Sequence, residues 1–252
     1  MKKLKVLVSL SLLLSLTACG SKTEETQPEP EVTEETTQDL SSYAWGEFIE
    51  EGDWVSSTPT SKSGIYLDLF EEFTYENPDQ SEKTITVSSY NPDTGESINA
   101  EQQFTVGNMT YYVYDPIKNG ADASGKYPVV YWFHGSGNAL NGKAAISNGG
   151  AEYYVGPDAQ AVTGPCYIVC PLANETADPD TGATIGNWMT VAKDETTTIY
   201  HDALAGIMDN FMAEHEANVS KLVIAGTSAG GYCAWRYILD HTEDVSACLL
   251  MA

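Results

Sequence analysis

The stretch that most constrains this chain is Lys221-Leu-Val-Ile-Ala-Gly-Thr-Ser-Ala-Gly-Gly-Tyr232. Leu222 to Ala225 is an apolar run of buried-strand length, Gly226-Thr227-Ser228-Ala229-Gly230 follows at once, and Tyr232 to Asp240 reads as a helix. A strand that becomes a helix over so few residues leaves almost no room at the turn. Ser228 at its apex must take a strained backbone conformation, which pushes the hydroxyl out above the sheet. Side chains at Gly226 and Gly230 would strike the neighbouring strand and helix. The helix that begins at Ala229 aims its first amide N–H groups at the space in front of Ser228.

Charge removes several function classes. Acids outnumber bases 36 to 12, for a net charge of −24. Nucleic acid needs a basic face, and electrostatic adhesion to anionic lipid needs basic clusters. A soluble extracellular surface suits the balance. The length of 252 residues gives room for one large domain with appendages.

Met1-Lys-Lys-Leu-Lys5 is a positive n-region, and Val6 to Leu16 is an apolar run too short to span a bilayer comfortably. Leu16-Thr-Ala-Cys19 resembles the lipobox of bacterial lipoproteins, which implies that residues 1–18 are a signal peptide and that Cys19 carries a lipid. That places the protein on the extracellular face of the cell membrane. The rival is an ordinary secretory signal beside a chance cysteine. Residues 19–39 are rich in Glu, Thr, Pro and Gln and read as a disordered acidic tether.

Residues 40–102 read as an N-terminal extension, β-rich, with Tyr43, Trp45, Phe48 and Trp54 packing it onto the main domain. Ile65 to Phe70 is either a strand or a helical turn. Thr84 to Tyr90 alternates as a strand, and Asn91-Pro-Asp-Thr-Gly95 has turn chemistry. From 103 to 252 the pattern is that of the main domain. Gln103 to Val106 and Met109 to Tyr114 read as strands paired about Gly107-Asn108. Tyr127 to Phe133 is a continuous apolar and aromatic run, as a central parallel strand requires.

That run ends in His134-Gly-Ser-Gly137. Gly135 and Gly137 let the backbone turn its N–H groups toward a ligand oxygen. Ser136 and Ala229 are the expected amide donors, and His134 braces the loop rather than transferring a proton. Cys166 to Pro171 is the next core strand. Asn174 to Thr184 is an acidic, turn-rich loop, in which Pro179 spoils any calcium-loop pattern. Asn187-Trp188-Met189 either lines a pocket or packs. Tyr200 to Asn218 carries Ala203, Leu204, Ile207, Met208, Phe211, Met212 and His215 on one helical stripe, with His215 part of the core. Val245 to Met251 is a further apolar strand.

Alternating strands and helices with short connections give an α/β fold around a mostly parallel sheet. On Tyr127-Pro-Val-Val, His134-Gly-Ser-Gly137 and Gly226-Thr-Ser-Ala-Gly-Gly231, residues from about 105 onward resemble the α/β-hydrolase superfamily. The nearest types are secreted esterases of the polyhydroxybutyrate depolymerase and feruloyl esterase kind, with the related prolyl-oligopeptidase-like peptidases. The resemblance implies Ser228 as nucleophile, Ser136 and Ala229 amides as oxyanion hole, and no cofactor or metal. It implies a substrate that is a small-molecule or polysaccharide-linked ester. A peptidase with the same machinery and a non-catalytic binding lipoprotein are the alternatives.

Two features remain. Cys166 and Cys170 share one strand face with Cα atoms ~13 Å apart, too far to bond. With Cys233 and Cys248 they read as buried free thiols. The order implied by the resemblance is Ser, then Asp or Glu, then His, yet the only later histidine, His241, lies ~20 Å along the helix from Ser228. The sequence therefore reads as the first part of a longer hydrolase, whose acid and histidine lie beyond residue 252.

Overall fold

Apolar alternation along Tyr127–Phe133 decides the architecture. Val129, Tyr131 and Phe133 point to one side and Val130 and Trp132 to the other, and all are buried. A strand buried on both faces must be central and covered by a layer on each side. The computed structural model describes residues 64–251, apart from 92, 149, 180, 216 and 217, and these fall in one compact unit. The expected signal peptide, Cys19, the tether and the aromatics from Tyr43 to Trp54 lie outside the described residues.

The strands are β1 (Phe70–Tyr75), β2 (Lys83–Tyr90), β3 (Ser97–Phe104), β4 (Met109–Tyr114), β5 (Tyr127–Phe133), β6 (Tyr167–Pro171), the short β7 (Thr176–Ala177) and β8 (Thr184–Ile185), β9 (Val219–Thr227) and β10 (Val245–Met251). The helices are α1 (Ala145–Asn148), α2 (Pro157–Thr163), α3 (His201–His215) and α4 (Ala229–Asp240). The main sheet runs β1-β4-β6-β5-β9-β10. β6, β5, β9 and β10 are parallel, while β1, β4 and β6 pair antiparallel. Helices cover both faces. On one, α3 and α4 bury Leu204, Ile207, Phe211, Cys233 and Tyr237 against Tyr131, Phe133 and Tyr167. On the other, Ala145, Ile146, Ala151 and Val155 cover Trp132, Ile168, Cys166 and Cys170. Each large apolar side chain so buried contributes about 1.5–3 kcal/mol.

Two sequence expectations are corrected. No hairpin forms about Gly107-Asn108. β3 pairs instead with β2, across a turn in which Gly95 N–H donates to Asn91 O at 2.8 Å. β4 is nearly all buried and needs a partner on each edge, which β1 and β6 provide. The main sheet therefore begins at Phe70, well before residue 103. Second, Cys248 is exposed on β10, whereas Cys166, Cys170 and Cys233 are buried free thiols.

Candidate active site

β9 runs into α4 through Thr227 and Ser228. Ser228 has φ 53° and ψ −121°, one of two positive-φ residues other than glycine among the described residues. A side chain in this backbone region costs about 1–3 kcal/mol, so the surrounding packing must hold it there. The packing is visible. A Cβ on Gly226 would collide with the Gly230 carbonyl, and a Cβ on Gly230 would collide with the carbonyls of Phe133 and His134. Only two glycines let the strand, the turn and the first turn of α4 come this close. Ser228 N–H donates to Met251 O at 2.7 Å, fastening the elbow to the end of β10. The Ser228 side chain is exposed and, among the described residues, its Oγ makes no hydrogen bond. Ala229 is the first residue of α4, so its N–H has no intrahelical acceptor.

The loop after β5 lies against this elbow. A Cβ on Gly135 would sit 3.7 Å from Ser228 Cβ, which puts the backbone of the loop in the serine's immediate surroundings. His134 is 2 % exposed. Its Nε2 accepts the Ala173 N–H at 3.1 Å, so the proton sits on Nδ1, which donates to Gly135 O at 2.7 Å. Burial pushes its pKa down to about 4, partly countered by the bond to Gly135. Both ring nitrogens are thus occupied and the imidazole is neutral. His134 ties β5 to the residues after β6. Ser136 is exposed, with its Oγ 3.3 Å from Asn187 Nδ2.

Glu175 is the residue that sequence reasoning missed. It is 9 % exposed, and its two carboxylate oxygens accept the N–H groups of Gly137 and Ala139, each at 3.1 Å. One side chain therefore fixes the far half of the loop as His134 fixes the near half. Burial raises the Glu175 pKa, against the lowering pull of the two N–H groups. Its neighbour Asn174 donates through Nδ2 to the carbonyls of Val106 and Asn108, locking the segment from which Glu175 projects. The available signal was positional. A lone acid two residues after Leu172-Ala173 follows a core strand at the same end of the sheet as His134.

The other histidines lie elsewhere. His201 is 3.6 Å from Asp240, and His241 stacks on Tyr237 at 4.3 Å, both at the end of α4 opposite Ser228. His215 stacks on Phe211 at 4.4 Å and bonds its carbonyl. All four histidines of the chain are described, and none hydrogen-bonds Ser228. No cluster of His, Cys, Asp or Glu able to hold a metal occurs among the described residues.

Strand order, the antiparallel β4 and the strand–serine turn–helix together define an α/β-hydrolase fold. No family model matches the chain, and no curated protein matches it in sequence. Among solved structures, a thermostable esterase is 21% identical with a TM-score of 0.40, covering 67% of this chain and 40% of its own. A ferulic acid esterase is 18% identical with a TM-score of 0.40, covering 70% of this chain and 59% of its own. A ferulic acid esterase from Anaeromyces mucronatus is 14% identical with a TM-score of 0.33, covering 69% of this chain and 60% of its own. The chain thus spans 40% to 60% of the length of these structures. The chemistry of the site rests on its own geometry.

Proposed function

We propose that this chain carries the nucleophile and oxyanion hole of a serine hydrolase that cleaves carboxylic esters, tethered outside a bacterial membrane by a lipid on Cys19. The observation that carries it is Ser228, held at φ 53° on a strand-to-helix elbow with its hydroxyl exposed beside a glycine-rich loop. Nothing in packing alone calls for a side chain at a strained, exposed turn flanked by glycines.

The reaction follows from the groups present. Ser228 Oγ adds to the ester carbonyl as a general base takes its proton. The Ser136 and Ala229 N–H groups stabilise the oxyanion. Collapse expels the alcohol, which recovers the proton, and leaves an acyl group on Ser228. Water then adds and releases the acid. Histidines 134, 201, 215 and 241 are engaged elsewhere and none hydrogen-bonds Ser228, so none of them is the base in this arrangement. The test is to assay the natural gene product on nitrophenyl esters and peptide amides in parallel, with Ser228→Ala beside it. Ester turnover should fall at least ~10³-fold in the variant. Turnover of amides alone would make it a peptidase, and ester turnover untouched by the substitution would sink the assignment.

One observation favours a second reading. Since none of the four histidines bonds Ser228, the fold could serve a lipoprotein that binds ligand without turnover. That reading predicts that a fluorophosphonate leaves Ser228 unmodified in the natural gene product.

A further inference from the structure

A second concavity lies beside the oxyanion loop, an open groove of about 450 Å³. Its origin is local. β2 meets the 190–193 segment only at its start, through the Ile85–Ala192 bridge and the Lys193 N–H to Thr84 O bond of 2.7 Å. Val191 then bridges to Thr198, and Ile199 N–H donates to Thr190 O at 3.0 Å. These bonds draw the segment away from β2, and a slot opens between 86–88 and 184–191. Trp188 anchors the far wall, fully buried against Phe133, His134 and Tyr200. Asn187 and Met189, on either side of it, are left facing the slot, with Met189 52 % exposed.

The lining contains no charged side chain and no aromatic ring. In a chain with 36 acids and 12 bases, an uncharged groove of this size is informative about its occupant. An ion would find no counter-charge there, and its desolvation would go uncompensated. A sugar ring would find no flat apolar platform. Buried Ile85, Val87 and Ile185 supply an aliphatic floor, and Thr184 and Thr190 bring neutral hydroxyls to the lining. An extended, uncharged aliphatic chain fits that chemistry.

The groove also touches the catalytic loop. Asn187 Nδ2 is 3.3 Å from Ser136 Oγ, while Asn187 Oδ1 accepts the Met189 N–H at 2.9 Å. Thr184 Oγ1 lies 3.6 Å from where a Cβ on Gly137 would be. Ser136 adjoins Gly135, which faces Ser228, so Asn187 connects the groove to the loop beside the nucleophile. We infer that this groove is a substrate subsite, holding the uncharged aliphatic chain of an ester whose carbonyl sits at Ser228. The inference rests on the hydrolase reading above.

The experiment separates the two. Methyl butyrate, methyl hexanoate, methyl octanoate and monomethyl suberate are titrated into the full chain carrying Ser228→Ala, with methionine methyl groups labelled for NMR. The Met189 methyl resonance should shift saturably, and affinity should rise roughly fourfold per methylene. Monomethyl suberate, with its terminal carboxylate, should bind at least ~10-fold more weakly than the octanoate. Thr184→Asp and Thr190→Asp, each placing a carboxylate in the lining and each read at Met189, should flatten the chain-length dependence. A resonance that stays put, or affinity indifferent to chain length or charge, would overturn the groove. Fluorophosphonate labelling of Ser228 in the natural gene product is the parallel arm. Labelling without a Met189 shift overturns the groove alone. Binding without labelling overturns the hydrolase reading, and with it the groove's role as a substrate subsite.

Discussion

Replacing Glu175 with Gln keeps shape and volume and removes the charge. Two charge-assisted bonds of 3.1 Å hold Gly137 and Ala139 in the wild type. The amide can accept one N–H through its oxygen but must set its own NH₂ against the other. One bond weakens to neutral strength and one N–H is left facing a donor, a loss of about 2–3 kcal/mol in holding the loop. At 1.4 kcal/mol per tenfold, amide exchange at Gly137 and Ala139 should quicken ~30–140-fold, measured by NMR under native conditions. The pH dependence gives a second readout with a definite sign. The folded-state pKa of Glu175 is raised above its ordinary 4.5, so the folded protein binds this proton more tightly than the unfolded chain. Its contribution therefore favours folding at low pH and is lost as pH rises from about 4.5 through the raised value. The clamp behaves oppositely, because protonation removes an acceptor and frees the loop. Wild type minus Glu175→Gln should show stability falling and loop protection rising across that window. Equal exchange rates at Gly137 and Ala139 in the two proteins would refute the clamp.

Three further outcomes follow from the same geometry. Ser228→Gly should be more stable than Ser228→Ala by about 1 kcal/mol in urea titrations, because only glycine relaxes the positive φ. The depressed pKa of His134, about 4 against 6.5, makes its contribution to stability full above pH 6.5 and lost as pH falls toward 4. His134→Asn should remove that slope, which runs against the slope from Glu175, so the two variants must be compared one at a time. In a Cys19→Ser background, a thiol reagent should modify Cys248 rapidly, while Cys166 (raised by burial to about 11), Cys170 and Cys233 react only on unfolding.

The parts of this molecule that could be read from sequence are those set by local geometry. Gly226 and Gly230 announce a close approach, and the buried run from Tyr127 to Phe133 announces a central strand, because each demand falls on adjacent residues. The stripe from Ala203 to Phe211 was legible for the same reason. Pairing partners were not. Gly107-Asn108 has hairpin chemistry, yet β3 is already taken by β2, and β4 is buried deeply enough to need β1 and β6. Glu175 escaped notice because its partners, Gly137 and Ala139, are amides nearly forty positions earlier, and an amide leaves no mark in a sequence. The groove escaped for a related reason. It arises from a bridge that stops at Ala192, which no composition or periodicity encodes.

The central claim is that Ser228 is a nucleophile. The most direct measurement treats the natural gene product with a fluorophosphonate and maps the adduct by peptide mass spectrometry, with Ser228→Ala alongside. The account predicts a single adduct on the peptide containing Ser228, absent from the variant. A folded protein with no adduct, or with one elsewhere that survives the substitution, would contradict it.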